Sequence, residues 1–183
     1  MILGMPDSDI SPIKVLIKPQ FDAAHHVASL SISLTIEEPK LEWNNVLVSF
    51  PGLVEPLTRI DEVSIKALNG DGLLPLSLGG NTVSWTVGRR TSNDVEISYE
   101  VSPLASNVAG SPLDLQFDHG GVPGSGLSFI PVPRTDQIYR NIVEWDLGQT
   151  TEGMRAVWTF GEGPRPVCVL GPASILSEPV YIL

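Results

Sequence analysis

Asp118 and His119 stand directly before glycines at positions 120, 121, 124 and 126, with Ser125 between the last two. Histidine is the side chain whose ordinary pKa lets it accept and return a proton near neutrality. The backbone N–H groups of a glycine run can converge on a carboxylate or an oxyanion. In that case His119 is a general base or polarising donor, and Gly120, Gly121, Gly124, Ser125 and Gly126 cradle the ligand. Alternatively the segment is a wide turn whose glycines supply positive φ, with Asp118 and His119 bonding the loop backbone. Neighbouring residues on an extended chain diverge, so Asp118 is poorly placed to orient His119. Downstream, Arg134, Asp136, Tyr139 and Glu144 add polar groups; Arg134 and Tyr139 join Asp118 and His119 as the catalytic candidates. Trp43, Trp85, Trp145 and Trp158 are either core aromatics or walls of an apolar pocket. Phe129, Trp145 and Trp158 are the ligand-lining candidates among the aromatics.

Other chemistries are excluded on residue count. The three histidines and single cysteine form no His-Glu-x-x-His motif and no Cys pair, so no standard zinc site is expected. His25 and His26 are adjacent, would face opposite ways on a strand, and mark the polar start of the strand that follows. No phosphate loop is present, and the glycines after His119 neither open a helix nor sit in a βαβ unit. A Gly-x-Ser-x-Gly elbow is absent, because Ser125 lies directly between two glycines. Neither a metal nor a cofactor is expected. Cys168, in Val167-Cys168-Val169-Leu170, reads as a small buried hydrophobe with no basic neighbour to favour its thiolate.

Composition narrows the class further. The chain of 183 residues carries 11 Lys and Arg against 21 Asp and Glu, a net charge of −10. No Lys/Arg cluster exceeds Arg89-Arg90, so neither nucleic acid nor an anionic membrane surface is an expected partner. No apolar run has the length of a membrane span, and residues 1–12 lack a basic start with an apolar core. With a lone cysteine and no Asn-x-Ser/Thr sequon, a reducing cytoplasmic setting is expected. At 42% hydrophobic and 17% charged, the chain has enough apolar material for a packed core without disulfides or metal.

The elements that must position these groups are strands. Leu30, Ile32, Leu34 and Ile36 alternate with serines and a threonine; Val83, Trp85, Val87 and then Val95, Ile97, Tyr99, Val101 repeat the pattern. Weaker alternation covers 13–18, 46–50, 62–67 and 154–160, a longer stretch covers 137–147, and residues 180–183 are placed to close the sheet. Asn69-Gly70-Asp71-Gly72 and Gly79-Gly80-Asn81 read as hairpin turns, and Gly161-Glu162-Gly163-Pro164 as a further turn. No window shows a helical stripe, and 16 prolines recur too often to allow one. One apolar face per strand predicts antiparallel sheets packed on one side. The expected fold is all-β, an antiparallel β-sandwich of roughly ten strands over residues 13–183, after an arm at 1–12. A Gly-rich loop at 102–132 carries the candidate site.

Phe117-Asp118-His119-Gly120-Gly121-x-x-Gly124-Ser125-Gly126-x-Ser128-Phe129-x-Pro131 resembles a stretch in the N-terminal domain of glycyl-aminopeptidase-type (gluzincin) metallopeptidases. So do Trp145-Asp146-Leu147 and Gly153-Met154-Arg155-Ala156-Val157-Trp158-Thr159-Phe160-Gly161-Glu162-Gly163, in order and spacing across roughly residues 13–183. The resemblance implies an antiparallel β-sandwich that, in such enzymes, precedes a thermolysin-like zinc domain and helps wall the substrate cleft. The family's zinc motif is missing from this sequence, and its aromatic Pro-Gly-Tyr segment is reduced to Phe50-Pro51-Gly52-Leu53-Val54. Peptidase activity from these residues alone is therefore not expected.

Two functions follow. As a complete, free-standing protein, the sandwich would bind a small, largely apolar molecule and act at most as a cofactor-independent cyclase or isomerase, through shape and acid–base groups. Alternatively it is the non-catalytic, substrate-side domain of a glycyl-aminopeptidase-like metallopeptidase. It then exposes an apolar patch where a downstream peptidase domain packs.

Overall fold

The computed structural model describes residues 10–50, 66–70, 72–79, 83–104, 114–117, 121–148, 154–163 and 165–183. Fourteen strands occur among them: β1 Pro12–Phe21, β2 Val27–Ile36, β3 Val46–Ser49, β4 Lys66–Asn69, β5 Gly72–Leu74, β6 Leu76–Gly79, β7 Ser84–Val87, β8 Val95–Val101, β9 Gly124–Ser125, β10 Ile138–Trp145, β11 Val157–Trp158, β12 Gly161–Glu162, β13 Val167–Pro172 and β14 Val180–Ile182. The only helical pieces among the described residues are 3-10 turns at Gly126–Ser128 and Ala173–Leu176. The all-β expectation holds, with more strands than the roughly ten the alternation predicts. Most of the excess is two- and three-residue strands, too short for a period of two to register. β13 was hidden for another reason: Val-Cys-Val-Leu-Gly-Pro is apolar throughout, so no alternation marks it.

Seven strands form the large sheet, in the order β13-β10-β1-β2-β8-β4-β5. A four-stranded sheet β12-β11-β14-β9 and a three-stranded sheet β3-β7-β6 complete the fold. Pairing is antiparallel except between β1 and β10, which run parallel from Pro12↔Arg140 to Ile17↔Trp145. The purely antiparallel expectation is corrected there. Amphipathic alternation reports which face of a strand is buried, not the direction of its neighbour.

Register turns the alternation into a core. Ile13, Val15 and Ile17 of β1 lie opposite Ile36, Leu34 and Ile32 of β2, which lie opposite Val95, Ile97 and Tyr99 of β8. All nine are buried. Each such aliphatic side chain contributes about 1.5–3 kcal/mol relative to exposure. The inner face of the large sheet meets both small sheets through aromatic contacts. Phe50, directly after β3, meets the rings of Trp85 and Tyr99 edge-on, and Trp145 of β10 tilts against Tyr181 of β14. The outer face carries Lys14, Leu16 and Lys18, the β2 serines, and Glu96, Ser98 and Glu100.

Local signals explain the turns. The hairpin joining β4 and β5 closes at Asn69↔Gly72, and Gly70 takes φ 61°, a region closed to most side chains. β6 and β7 pair antiparallel as the second turn signal predicts, although Gly80 and Asn81 lie outside the described residues. The third signal is displaced: Gly161 and Glu162 form β12, and the chain reverses earlier, with Trp158 opposite Gly161. His25 and His26 are exposed in the turn before β2, where the Asp22 carboxylate accepts the N–H groups of Ala24 and His26 at 2.8 and 2.9 Å. That backbone bonding from His26 holds the Asp22 pKa below its ordinary value. Cys168 is exposed on β13 rather than buried, because its side chain lies on the outer face of the large sheet.

Candidate functional site

The aromatic side chains singled out in the sequence come together, but around a residue that was not among them. Tyr181, from the short strand β14, stacks on Trp158 with ring centroids 5.7 Å apart and meets Phe129 edge-on at 5.2 Å. Trp145 completes the group at 6.2 Å. All four are buried. The Tyr181 hydroxyl donates to the Leu176 carbonyl at 2.6 Å, and burial drives its pKa far above the ordinary phenol value. Tyr99, whose hydroxyl donates to the Phe129 carbonyl at 2.7 Å, is shifted the same way by burial. Phe129, Trp145 and Trp158 therefore each pack on the Tyr181 ring, as a core does. The indole N–H groups of Trp145 and Trp158 are buried and have no hydrogen-bond partner among the described residues. Tyr181 was legible only as part of the closing alternation at 180–183.

Asp118, His119 and Gly120 lie outside the described residues. The segment that follows them is tightly packed. β9, which is Gly124–Ser125, pairs with β14, and Val122 exchanges backbone hydrogen bonds with Leu183. Gly124 and Gly126 do not take positive φ. Gly124 and Gly126 serve close approach instead. A Cβ on Gly124 would stand 2.9 Å from the Leu115 Cα, and one on Gly126 would stand 2.5 Å from the Leu176 carbonyl oxygen. The Ser125 hydroxyl accepts the N–H of Leu127 and caps the 3-10 turn. Arg134 is exposed, and its Nε donates to the Ser49 hydroxyl at 3.0 Å. Tyr139 is buried on β10 beside Gly171 of β13, and burial raises its pKa. The Tyr139 hydroxyl hydrogen-bonds the Thr135 side chain, while Arg134 reaches Ser49 of β3.

Among the described residues, two surface cavities have room for small molecules, and neither is lined by Phe129, Trp145, Trp158, Arg134 or Tyr139. One, of about 480 Å³, lies at the ends of β1 and β10 among Lys18, Gln20, Phe21, His25 and Asp146. The other, of about 370 Å³, lies on the outer face of the large sheet between Leu16, Lys18, Lys66 and Glu100. Lys18 borders both and binds the Asp146 carboxylate at 2.9 Å. Among the described residues, no three His, Cys, Asp or Glu side chains converge as a metal-ligand set. No helix among them is long and apolar enough to cross a membrane.

The outer face of the four-stranded sheet is apolar where a solvated sheet is normally polar. Along β14, Val180 and Ile182 are 50% and 48% exposed while Tyr181 between them is buried. Val157 of β11 lies opposite Ile182 and shares its face. Phe160, 46% exposed, sits at the reversal between β11 and β12 with its ring edge-on to Trp158. Glu162, opposite Val157, and Arg155 form an ion pair at the margin. An apolar surface with a charged margin is the arrangement of a docking face.

No protein-family model matches the sequence, and no curated protein matches it. Solved structures do. An aminopeptidase N family protein from Idiomarina loihiensis superposes on 93% of this chain, over 29% of its own length, with a TM-score of 0.64 at 15% identity. A mutant M1 zinc metallopeptidase from Deinococcus radiodurans superposes on 95% of this chain, over 42% of its own, with a TM-score of 0.51 at 14% identity. The chain therefore has the all-β fold found in part of aminopeptidase N-type metallopeptidases, and it spans less than half the length of either protein. At the level of fold, the resemblance drawn from the glycine-rich and tryptophan motifs holds.

Proposed function

We propose that the chain is the non-catalytic, substrate-side β-domain of an aminopeptidase-like metallopeptidase. Its work is to present the outer face of the four-stranded sheet to a zinc-bearing peptidase domain. The observation that carries this reading is the asymmetry of the superposition: nearly all of this chain accounts for 29% of the Idiomarina loihiensis protein. The exposed Val180 and Ile182, with Val157 beside Ile182 on the same face, supply a surface for the remainder to cover. A zinc ion finds no donor set among the described residues, so hydrolysis belongs to the partner domain. Asp118, His119, Arg134 and Tyr139 have no assigned catalytic step in this reading. The free-standing cyclase or isomerase draws no support from Phe129, Trp145 and Trp158, because all three are buried and packed on Tyr181.

The test is the state of the native protein in its source cells, read by immunoblot and by sedimentation of a native extract. A species several times heavier than the 19.7 kDa chain, carrying aminopeptidase activity, is the expected result. A 19.7 kDa species that sediments free of peptidase activity overturns the proposal. A second readout uses the isolated chain with an apolar dye. Val180→Asp and Ile182→Asp together should abolish most of the dye fluorescence while leaving the fold intact.

A further inference from the structure

The two edges of the large sheet are treated differently. At one edge, β5, the Arg89 guanidinium reaches over the strand, its Nη2 lying 3.4 Å from the carbonyls of Gly72 and Leu73. A charged side chain laid over an edge blocks it against pairing. The opposite edge is β13, and among the described residues no strand or charged side chain is paired with its outward side. From Val167 to Gly171 it has no charge, no proline and no register shift against β10.

The bonding direction of each β13 residue follows from the neighbouring strands. Arg140 donates to the Ser11 carbonyl and Asp146 to the Ile17 carbonyl, so the even-numbered residues of β10 bond toward β1. Backbone groups alternate sides along a strand, so Tyr139, Asn141 and Val143 bond toward β13, opposite Gly171, Val169 and Val167. The N–H and C=O groups of Cys168 and Leu170 therefore point away from the sheet. Among the described residues they have no backbone partner. Both side chains are exposed, Leu170 by 49%.

We infer that β13 is a self-association edge, pairing antiparallel with β13 of a second copy to make one continuous sheet. The strand is complementary to itself. With the two-fold axis at Val169, Cys168 lies opposite the partner's Leu170, and Leu170 lies opposite the partner's Cys168. Each of these pairs exchanges two hydrogen bonds, which satisfies all four outward groups on each strand. Although the chain carries a net charge of −10, none of it lies on this strand, so close approach here is not opposed locally. This edge is distinct from the apolar face of the four-stranded sheet, and the inference does not rest on the proposed function.

The pairing fixes where the two Cys168 residues fall. They are offset by two residues across neighbouring strands, about 8 Å apart. That exceeds the reach of a disulfide, about 7 Å between Cα atoms. The experiment uses the 183-residue chain at about 100 μM, near a typical dissociation constant for a small edge contact. The expected weight-average mass by light scattering is about one and a half times 19.7 kDa at that concentration and rises toward twice as the concentration is raised. A bismaleimide with an ethylene spacer should trap the dimer through Cys168, whereas mild oxidation should not. Leu170→Pro removes only an outward N–H and leaves the bonds to β10 in place, so the monomer should fold normally by circular dichroism. Its self-association should weaken by about tenfold or more. Leu170→Lys should act in the same direction while keeping the N–H. A monomeric wild-type chain overturns the inference, and so does a dimer that survives both substitutions.

Discussion

Adjacent residues on β14 should respond to substitution in opposite ways, because a strand sends successive side chains to opposite faces. Tyr181 is buried against Trp158, Phe129 and Trp145, and its hydroxyl is 2.6 Å from the Leu176 carbonyl. Tyr181→Ala removes an aromatic side chain from a packed cluster, a loss of about 3–5 kcal/mol. The unpaired Leu176 carbonyl adds to that. Ile182, one residue later, is already 48% exposed, so Ile182→Ser forfeits at most about 1 kcal/mol of burial. Tyr181→Phe isolates the hydroxyl, at about 1–2 kcal/mol. The assay is urea unfolding followed by tryptophan fluorescence, which reports directly on Trp145 and Trp158. With a slope of about 2 kcal/mol per molar urea, Tyr181→Ala should lower the midpoint by about 2 M and Ile182→Ser by about 0.5 M or less. Equal losses for the two substitutions, or a larger loss for Ile182→Ser, would mean that β14 presents the other face to the core. The docking face would then not exist.

Two further outcomes follow from the same core. The protein's three tyrosines are Tyr99, Tyr139 and Tyr181, and burial raises the pKa of each in the folded state. The stability they contribute is complete below the unfolded phenol value of about 10 and is lost as pH rises above it. Absorbance at the phenolate band should therefore stay flat past pH 10 and rise together with the loss of circular dichroism. A phenolate step in the still-folded protein near pH 10 would contradict the burial of these rings. Gly126→Ala places a methyl group against two backbone carbonyls, those of Leu176 and Ser177, at 2.5 and 2.7 Å. It should destabilise by about 1–3 kcal/mol or more through overpacking. Thermal melts would show this as a drop of several degrees, whereas an unchanged melt would mean that this glycine is not needed for close approach.

Period-two alternation in Leu30–Ile36, Val83–Val87 and Val95–Val101 was enough to read β2, β7 and β8 and the face each one buries. That signal is local: side chains on one strand alternate whatever the strand pairs with. The Asn69-Gly70-Asp71-Gly72 turn was legible for the same reason, since the required positive φ at Gly70 is a property of a single residue. The motifs around Gly124, Trp145 and Trp158 also carried the fold resemblance, because they sit where backbones and aromatic rings pack closely. Other features depend on which distant segments meet. The parallel pairing of β1 with β10 joins residues more than a hundred positions apart, and nothing within either strand specifies its neighbour's direction. The glycines after Gly120 looked like a ligand cradle until Leu115, Leu176 and Ser177 were seen to fill the space beside Gly124 and Gly126. Cys168 looked buried in an apolar run, yet its strand closes one edge of the large sheet and turns it outward. The all-β class, the buried faces of β2, β7 and β8 and the turn between β4 and β5 were set by local sequence, because each depends on a few neighbouring residues. Sheet order, the aromatic packing on Tyr181 and the apolar face left open arise from contacts between segments far apart in the chain, so they come into view only in the folded molecule.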